Sequence, residues 1–313
     1  MTVIEVIQRS AEFLAKRDVE SPRLQVELLL ARVLSLPRMS LYLNFDRVLA
    51  SAELDRLREF VKRRAAREPL QHILGSTSFC GLEMNVNRNV LVPRPETELL
   101  AEFGWQFLNG LNPEAVENAS GPIALGEPGT HQDAVVPRQF SALDFGTGSG
   151  CLAITLAVKC PAARIVALEV SAEALAVARE NAARNGVADR IEFLLGNGFD
   201  GIPAATEFDL IISNPPYIPT AEIPTLQPEV RNFDPSLALD GGVDGLDFYR
   251  RLAQEGLAFL RPGGQAAMEF GDGQTNAIAA IFAAAGWRVE CVQKDYSGRE
   301  RILVARSVGP SAQ

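Results

Sequence analysis

The spacing of apolar residues divides the chain into a helical first part and a longer part in which strands and helices alternate. In residues 1–74, apolar side chains recur at helical intervals in three successive segments. Thr2 and Glu5 have the spacing of a capping box, and Ser21 before Pro22 is expected to be an N-cap followed by proline at the first helical position. We therefore expect a small N-terminal helical domain.

The third helical segment is rich in basic residues. It places apolar residues on one side, and its basic residues lie mostly on the others: Arg56, Arg58, Lys62, Arg63, Arg64 and Arg67. Such a run is either a solvated helix face or a surface that docks an acidic partner. The sequence leaves both interpretations open.

Two short β-like stretches follow the helical segments. They span residues 77–79 and 84–92 and are separated by Gly81, which predicts a β-hairpin. We expect this hairpin to be a linker of residues 75–93 between the helical domain and a larger domain of residues 94–313.

A segment of unusual composition interrupts the larger domain. Residues 112–139 contain four prolines, three glycines and no aromatic residue. Such a segment buries too little apolar surface to offset the entropy lost on ordering. The sequence predicts a mobile surface loop, which includes His131.

Strands and helices alternate after residue 140. The predicted strands are residues 142–145, 164–168, 191–195, 208–212 and 266–270, and the predicted helices are residues 151–158, 172–185, 247–259 and 275–285. This alternation predicts an α/β fold with a mainly parallel sheet and helices on both faces. Residues 288–293 and 301–305 are expected to form an antiparallel closing pair.

Composition and charge narrow the possible functions. The chain has 313 residues, of which 47% are hydrophobic and 22% charged, so a disordered or fibrous protein is excluded. The net charge of the chain is −9. Residues 1–75 contain 13 basic and 10 acidic residues, a net charge of +3, so residues 76–313 have a net charge of −12. Duplex nucleic acid is therefore a poor candidate partner.

Cysteine use and hydropathy bear on location. The four cysteines are scattered, which predicts neither a metal site nor a disulfide framework. No apolar run reaches the roughly 18 residues of a membrane span, and the N-terminus does not have the pattern of a signal peptide. We expect a monomeric cytoplasmic protein with no membrane partner.

A glycine-rich turn follows the first strand of the alternating part. Asp144 precedes Gly146, Gly148 and Gly150, whose alternate positions let a ligand approach main-chain N–H groups at a helix start. The spacing is tighter than the G-x-G-x-x-G turn that binds a pyrophosphate, so it suits a ligand without phosphate. S-adenosylmethionine is such a ligand, and its amino acid moiety would meet the turn and Asp144.

Two polar residues extend this predicted cofactor site. Glu169 ends the next strand, where a carboxylate accepts hydrogen bonds from ribose hydroxyls, and Asn197 follows the third strand, where it would bond the adenine edge. The alternatives are a plain tight turn, a solvated strand end and an ordinary loop residue. The predicted cofactor-binding residues are Asp144, Gly146, Thr147, Gly148, Ser149, Gly150, Glu169, Asn197 and Asn214.

The motif Asn214-Pro215-Pro216-Tyr217 follows the fourth strand. The prolines fix the backbone and remove N–H donors, so nearby carbonyls point outward. The Asn214 oxygen and a main-chain oxygen near Pro215 would accept both hydrogens of a planar NH2 group, whose face would rest on Tyr217. All four residues are predicted to bind substrate and to be catalytic.

Two acceptor oxygens and an aromatic ring in this arrangement suit methyl transfer to an amide. An amide nitrogen is a weak nucleophile, and two acceptors that hold its hydrogens orient it toward a methyl carbon. They also stabilise the positive charge that grows on nitrogen during transfer. No strong general base is then required. The alternative is a structural proline-rich turn.

With these residues, the chain resembles the HemK/PrmC protein-(glutamine-N5) methyltransferases. The resemblance extends from about residue 67 to residue 306 and includes REPLQ at 67–71, VPRPETE at 92–98, LALDGGVDGLDFY at 237–249, PGG at 262–264 and GRER at 298–301. It implies a Rossmann-like class I S-adenosylmethionine-dependent methyltransferase domain behind a helical domain that helps recognise the substrate.

The resemblance also implies a substrate, the glutamine in the Gly-Gly-Gln motif of class 1 peptide chain release factors. Arg94 and Glu96 would lie near the site with an unassigned role, and the alternative for them is an interdomain ion pair. Asn197 and Gly198 depart from the family, in which aspartate and a bulkier residue are common.

Two other functions remain as alternatives. A methyltransferase acting on the N6 amine of adenine could use the same acceptors, but it must extrude a base, usually with a basic groove. A non-catalytic S-adenosylmethionine-binding scaffold is the second alternative, and the intact motif from Asn214 to Tyr217 argues against it.

Overall fold

The helical first part forms the predicted helices. The computed structural model describes residues 1–111 and 140–307, so the predicted loop with His131 and residues 308–313 lie outside the described residues. The helices are α1 (Val3–Ala15), α2 (Pro22–Leu34), α3 (Ser51–Ala65) and α4 (Leu70–Leu74), with a 3-10 helix over Arg38–Leu43. Their shared core includes the fully buried Leu14, Leu29, Leu30 and Leu41.

The two predicted helix caps have different outcomes. The capping box is confirmed, since the Thr2 hydroxyl accepts from the Glu5 amide and the Glu5 carboxylate accepts from the Thr2 amide at 3.0 Å. Ser21 lies at the predicted N-cap position, directly before the helix that starts at Pro22. Its backbone is left-handed, with φ 45°, and within residues 1–111 its side chain makes no capping bond. Pro22 at the helix start, with its preset φ, is the remaining start signal.

The hairpin consists of β1 (Ser76–Phe79) and β2 (Leu82–Asn85), which pair antiparallel. The predicted second strand, residues 84–92, is wrong beyond Asn85. Val86 and Val90 are buried because they pack in a small cluster with Ala174 and Val177 rather than through strand pairing. The division of the chain into domains at residues 74 and 93 stays a prediction.

A long helix, α5 (Pro95–Gly110), connects the hairpin to the sheet. The sequence pattern had left it unassigned. At its middle, Gly104 permits close approach to the sheet, because a Cβ there would lie 2.9 Å from Leu156 Cδ2 and 3.0 Å from Ile212 Cδ1. This packing brings the start of α5 to the carboxyl end of the sheet.

The predicted sheet is confirmed and has seven strands in the order β5-β4-β3-β6-β7-β9-β8. The strands are β3 (Ser141–Phe145), β4 (Arg164–Glu169), β5 (Ile191–Leu195), β6 (Phe208–Ser213), β7 (Leu260–Glu269), β8 (Trp287–Lys294) and β9 (Glu300–Ser307). Strands β3 to β7 are parallel, and β9 runs antiparallel to β7 and β8. The chain order reverses at β3, where ligands of such sheets bind.

Helices cover both faces of the sheet. They are α6 (Cys151–Lys159), α7 (Ala172–Arg184), α8 (Pro228–Phe233), α9 (Asp247–Glu255) and α10 (Thr275–Ala284). One core lies between the sheet and helices α5 to α7, and the other lies under α9 and α10. The helix predicted to end at residue 259 ends at Glu255 and continues as a 3-10 turn over Gly256–Phe259. Among the described helices, none is long and apolar enough to cross a membrane.

Candidate active site

The glycine turn between β3 and α6 needs glycine at three positions. Gly146, Gly148 and Gly150 have φ values of 79°, 54° and 83°, a region that other residues enter at a cost. A Cβ on Gly150 would also lie 3.2 Å from the Ala178 Cα, so α7 packs directly on the turn. Gly146 and Gly148 have open space instead, which leaves room for a ligand against the main chain.

Asp144 lies beneath this turn. Its buried Oδ2 accepts from the Thr147 hydroxyl at 2.6 Å and from the Ala153 amide at 3.0 Å. Burial raises the pKa of this carboxyl to about 7. Asp144 is not among the residues that line the adjoining cavity. The carboxyl therefore supports the turn, and its direct contact with the cofactor stays a prediction.

Glu169 ends β4 and joins that strand to the turn. Its Oε2 accepts from the Gly148 amide at 2.8 Å, and its Oε1 accepts from the Val170 and Ser171 amides at 2.9 and 3.0 Å. These three bonds fix the carboxylate at the rim of a cavity, with 9% of the residue exposed. A fixed carboxylate in this position suits a ligand that presents hydroxyl donors.

The cavity, here called the cofactor cavity, has a volume of about 270 Å³. It brings together most of the predicted cofactor residues: Gly146, Thr147, Gly148, Ser149, Glu169, Asn197 and Asn214. Open main chain at the turn, an oriented carboxylate and apolar walls fit a ligand composed of an amino acid and a nucleoside. The residues present therefore fit S-adenosylmethionine.

Arg251 is a residue of this cavity that the sequence analysis missed. From α9, its Nη1 donates to Asn197 Oδ1 at 2.7 Å and its Nη2 donates to the Asn197 carbonyl at 2.8 Å. Gly198 makes room for the guanidinium, since a Cβ there would lie 1.9 Å from Arg251 Nη2. The signal in the sequence was Gly198 itself, at a position where the family commonly has a bulkier residue.

The motif from Asn214 to Tyr217 separates two cavities. Asn214 and Pro215 border both the cofactor cavity and a neighbouring cavity of about 310 Å³, here called the second cavity. Pro216 borders the cofactor cavity and Tyr217 borders the second cavity. Leu91 and Ala238 also border both cavities, so these four residues lie where a group in one cavity can approach a group in the other.

Side-chain hydrogen bonds hold this motif. Asn214 Nδ2 donates to Thr97 Oγ1 at 3.0 Å, and the Thr97 hydroxyl donates to Glu269 Oε2 at 2.7 Å. Gln274 Nε2 donates to the Tyr217 carbonyl at 2.9 Å. Burial raises the pKa of Tyr217 to about 12, so its ring is a neutral phenol at physiological pH.

Arg94 and Glu96 both line the second cavity. Arg94 forms an ion pair of 2.9 Å with Asp234, whose side chain is 1% exposed. Both residues lie within the predicted larger domain of residues 94–313, whose boundary stays a prediction. Asp234 follows the Asn214 motif in the chain, and the pair therefore holds that segment beside α5.

A second group of ion pairs joins α3 and Arg67, two residues after it, to α8. Arg64 donates to Glu229 Oε1 at 2.7 Å, and Arg67 donates to both Glu229 oxygens at 2.6 and 2.7 Å. Only 5% of the Arg64 side chain is exposed, so a solvated face is wrong for this residue. The acidic partner of these two arginines is helix α8 of the same chain.

The protein resembles known families over both parts. The PrmC N-terminal domain model matches residues 5–75, and the methyltransferase small domain model matches residues 133–226. The catalytic domain of hMettl16, in complex with the MAT2A 3'UTR hairpin 1, has a TM-score of 0.52 at 16% identity, covering 81% of this chain and 82% of that chain. At this identity the likeness shows the fold alone.

Full-length relatives are more similar. The release factor glutamine methyltransferase of Geobacter sulfurreducens is 40% identical over 305 residues, which are 97% of this chain and 96% of that protein. The proteins of that name from Chlorobaculum tepidum and Caulobacter vibrioides are 39% and 37% identical, over 96% and 97% of this chain and 96% of each relative. The chain therefore belongs to the release factor glutamine methyltransferase family.

Proposed function

We propose that the protein transfers a methyl group from S-adenosylmethionine to the side-chain amide nitrogen, N5, of the glutamine in the Gly-Gly-Gln motif of class 1 peptide chain release factors. The observation that carries this proposal is the meeting of the two cavities at Asn214 and Pro215. The names of the full-length relatives support the choice of substrate.

The cofactor cavity would hold the methyl donor. The turn from Gly146 to Gly150 would receive the amino acid moiety, Glu169 the ribose hydroxyls, and Asn197 the adenine. When bound, S-adenosylmethionine supplies the methyl group, and its carbon–sulfur bond breaks as the carbon–nitrogen bond forms. The chain has to place the accepting nitrogen in line with that bond.

The second cavity would hold the glutamine side chain. Asn214 Oδ1 and the carbonyl near Pro215 would accept the two amide hydrogens, while the Tyr217 ring would lie against the amide plane. These acceptors orient the nitrogen lone pair and stabilise the positive charge that develops there. The amide then releases one proton, which needs no strong base because the methylated nitrogen is strongly acidic before it loses that proton.

The protein substrate would contact both parts of the chain. Arg64 and Arg67 tie the helical part to α8, which lies in the segment after the catalytic motif. A release factor bound by the helical part would thereby be held at a fixed position relative to the second cavity. The net charge of −12 on residues 76–313 favours a folded protein, rather than duplex nucleic acid, as the partner.

Incubation with labelled S-adenosylmethionine tests the proposal. The purified protein would be given a class 1 release factor, the same factor with its Gly-Gly-Gln glutamine replaced by alanine, or duplex DNA. We expect label on the glutamine of the first substrate and on neither of the others. Label on adenine, or equal label on both forms of the factor, would show that the proposed substrate is wrong.

A further inference from the structure

Three side chains form a series that ends at the catalytic motif, and two of them, Glu269 and Thr97, are buried. Glu269, at the end of β7, accepts from Thr97, at the start of α5, and Thr97 accepts from the Asn214 amide. Glu269 and Thr97 are 2% and 1% exposed, so water does not compete for these bonds. The three residues come from distant parts of the chain.

The hydrogens in this series can be assigned one by one. A threonine hydroxyl has a single hydrogen, and an ionised carboxylate can only accept. The Thr97 hydrogen therefore goes to Glu269, and Thr97 Oγ1 faces Asn214 as an acceptor. Only the NH2 group of Asn214 satisfies it. A reversed Asn214 amide would set two acceptor oxygens about 3.0 Å apart in a buried site, which is unfavourable.

We propose that Thr97 and Glu269 are positioning residues that fix the Asn214 amide with its oxygen toward the two cavities. Neither residue has to touch the substrate nitrogen for this role. By presenting an acceptor, they select a substrate group that donates hydrogens, such as a carboxamide NH2. This inference rests on the proposed function, because it assigns the Asn214 oxygen to the substrate amide.

Thr97→Val tests the inference, since valine keeps the shape of threonine and removes the hydroxyl. With nothing to hold its NH2 group, Asn214 would populate both amide orientations. We expect kcat on the release factor to fall about tenfold to a hundredfold. The affinity for S-adenosylmethionine, measured by calorimetry, should change by less than about threefold.

Two matched variants separate positioning from packing. Thr97→Ser retains the hydroxyl and should keep kcat within about threefold of the original protein. Thr155→Val removes another fully buried hydroxyl, which donates to the Cys151 carbonyl at 2.7 Å, and should leave kcat unchanged. Full turnover in Thr97→Val, or equal losses in Thr97→Val and Thr97→Ser, would overturn the inference.

Glu269→Gln tests the carboxylate. Its NH2 group can donate to Thr97, which frees the Thr97 hydrogen to meet the oxygen of a reversed Asn214. We expect kcat to fall while KM for the release factor stays within about twofold. Unchanged kcat would overturn the role of Glu269.

A measurement without turnover keeps this inference separate from the proposed function. The side-chain NH2 signals of Asn214 can be identified in nitrogen-proton NMR spectra by their loss in Asn214→Ala. We expect slow hydrogen exchange of these signals in the original protein and in Thr97→Ser, and fast exchange in Thr97→Val. Fast exchange in all three would overturn the inference, whereas failure to methylate release factors would overturn only the proposed function.

Discussion

Arg67, two residues after α3, and Glu229 of helix α8 form a bidentate ion pair with N–O distances of 2.6 and 2.7 Å. The two residues are 162 positions apart in the sequence. The pair raises the pKa of Arg67, chiefly through the hydrogen bond with Glu229, and the pKa of Glu229 is lowered, since its bonds with Arg67 and Arg64 outweigh burial. It connects the helical part to the segment that follows the catalytic motif.

Breaking this connection should impair the use of a protein substrate. In Glu229→Gln, Arg64 loses a charged partner while remaining buried, so the free energy of unfolding should fall by roughly 1 to 3 kcal/mol. We expect KM for the release factor to rise, because α8 no longer holds the helical part in register. Denaturant unfolding measures the free energy of unfolding, steady-state kinetics measure KM, and calorimetry measures the affinity for the cofactor.

An exposed ion pair on α3, the helix that contains Arg64, provides the control. Arg58 and Asp55 are paired at 2.7 Å with 64% of each side chain exposed, so Arg58→Ala should change stability by less than about 1 kcal/mol. Cofactor affinity should be unaffected in both variants. If Glu229→Gln weakened cofactor binding as strongly as it raised KM, general misfolding would explain the loss of activity better than a broken connection to α8.

Asn214→Ala should lower the methylation rate. The variant leaves a substrate amide hydrogen without its acceptor in a buried site, which costs roughly 1 to 3 kcal/mol in the transition state. This corresponds to about a tenfold to hundredfold loss of kcat. Single-turnover kinetics at saturating donor measure it. Unchanged turnover with unchanged donor affinity would show that Asn214 does not hold the substrate amide.

The sequence was sufficient for features whose determinants are close together in the chain. The left-handed glycines of the turn and the motif after the fourth strand are read from a few consecutive residues, and parallel strands bring their carboxyl ends to one edge. The outcome for residues 84–92 shows the limit of such reading. Its apolar residues made that segment look like a strand, although within residues 1–111 and 140–307 it has no strand partner beyond Asn85.

The features that sequence reasoning missed depend on distant partners. Thr97 lies 117 positions from Asn214 and 172 from Glu269, so nothing local indicates their hydrogen bonds. Arg64 looked like part of a solvated basic face until α8 supplied its partner, 165 positions away. Arg251 reaches Asn197 because Gly198 has no side chain. The glycine could be seen in the sequence, but its partner Arg251 could not.

Gly198→Ala should weaken cofactor binding. Its Cβ would displace the Arg251 guanidinium from Asn197, and its φ of 76° disfavours a side chain. We expect the dissociation constant for S-adenosylmethionine, measured by calorimetry, to rise about tenfold, which corresponds to about 1.4 kcal/mol.

A second glycine with a left-handed backbone provides the control that distinguishes backbone strain from the displacement of Arg251. Gly263 has φ 82° with no atom near its Cβ position, so Gly263→Ala adds similar backbone strain outside the cavity. It should lower stability and leave donor affinity unchanged. Equal donor affinities in Gly198→Ala and the original protein would exclude Arg251 and Asn197 from the binding of adenine.

The environment of Glu269 predicts a dependence of the rate on pH. Burial raises the pKa of Glu269 to about 7, against the opposing effects of the Thr97 bond, Arg301 and Arg94, while Glu96 adds to the rise. Tyr217 and Tyr249 also face this region, and raised pKa values keep both neutral.

Protonation of Glu269 would allow it to donate to Thr97, and Thr97 could then donate to a reversed Asn214. The carboxylate form is the active one, so kcat should rise with pH, reach half its maximum near pH 7 and level off above that pH. Glu269→Gln should have a lower and flatter profile between pH 6 and 8 (roughly one unit either side of that pKa). Burial raises the pKa of Asp144 to a similar value, so either carboxyl could cause the fall in kcat at low pH. The pH profile of Asp144→Asn distinguishes the two groups. An acidic limb that persists in Glu269→Gln and disappears in Asp144→Asn would assign the titration to the glycine turn instead.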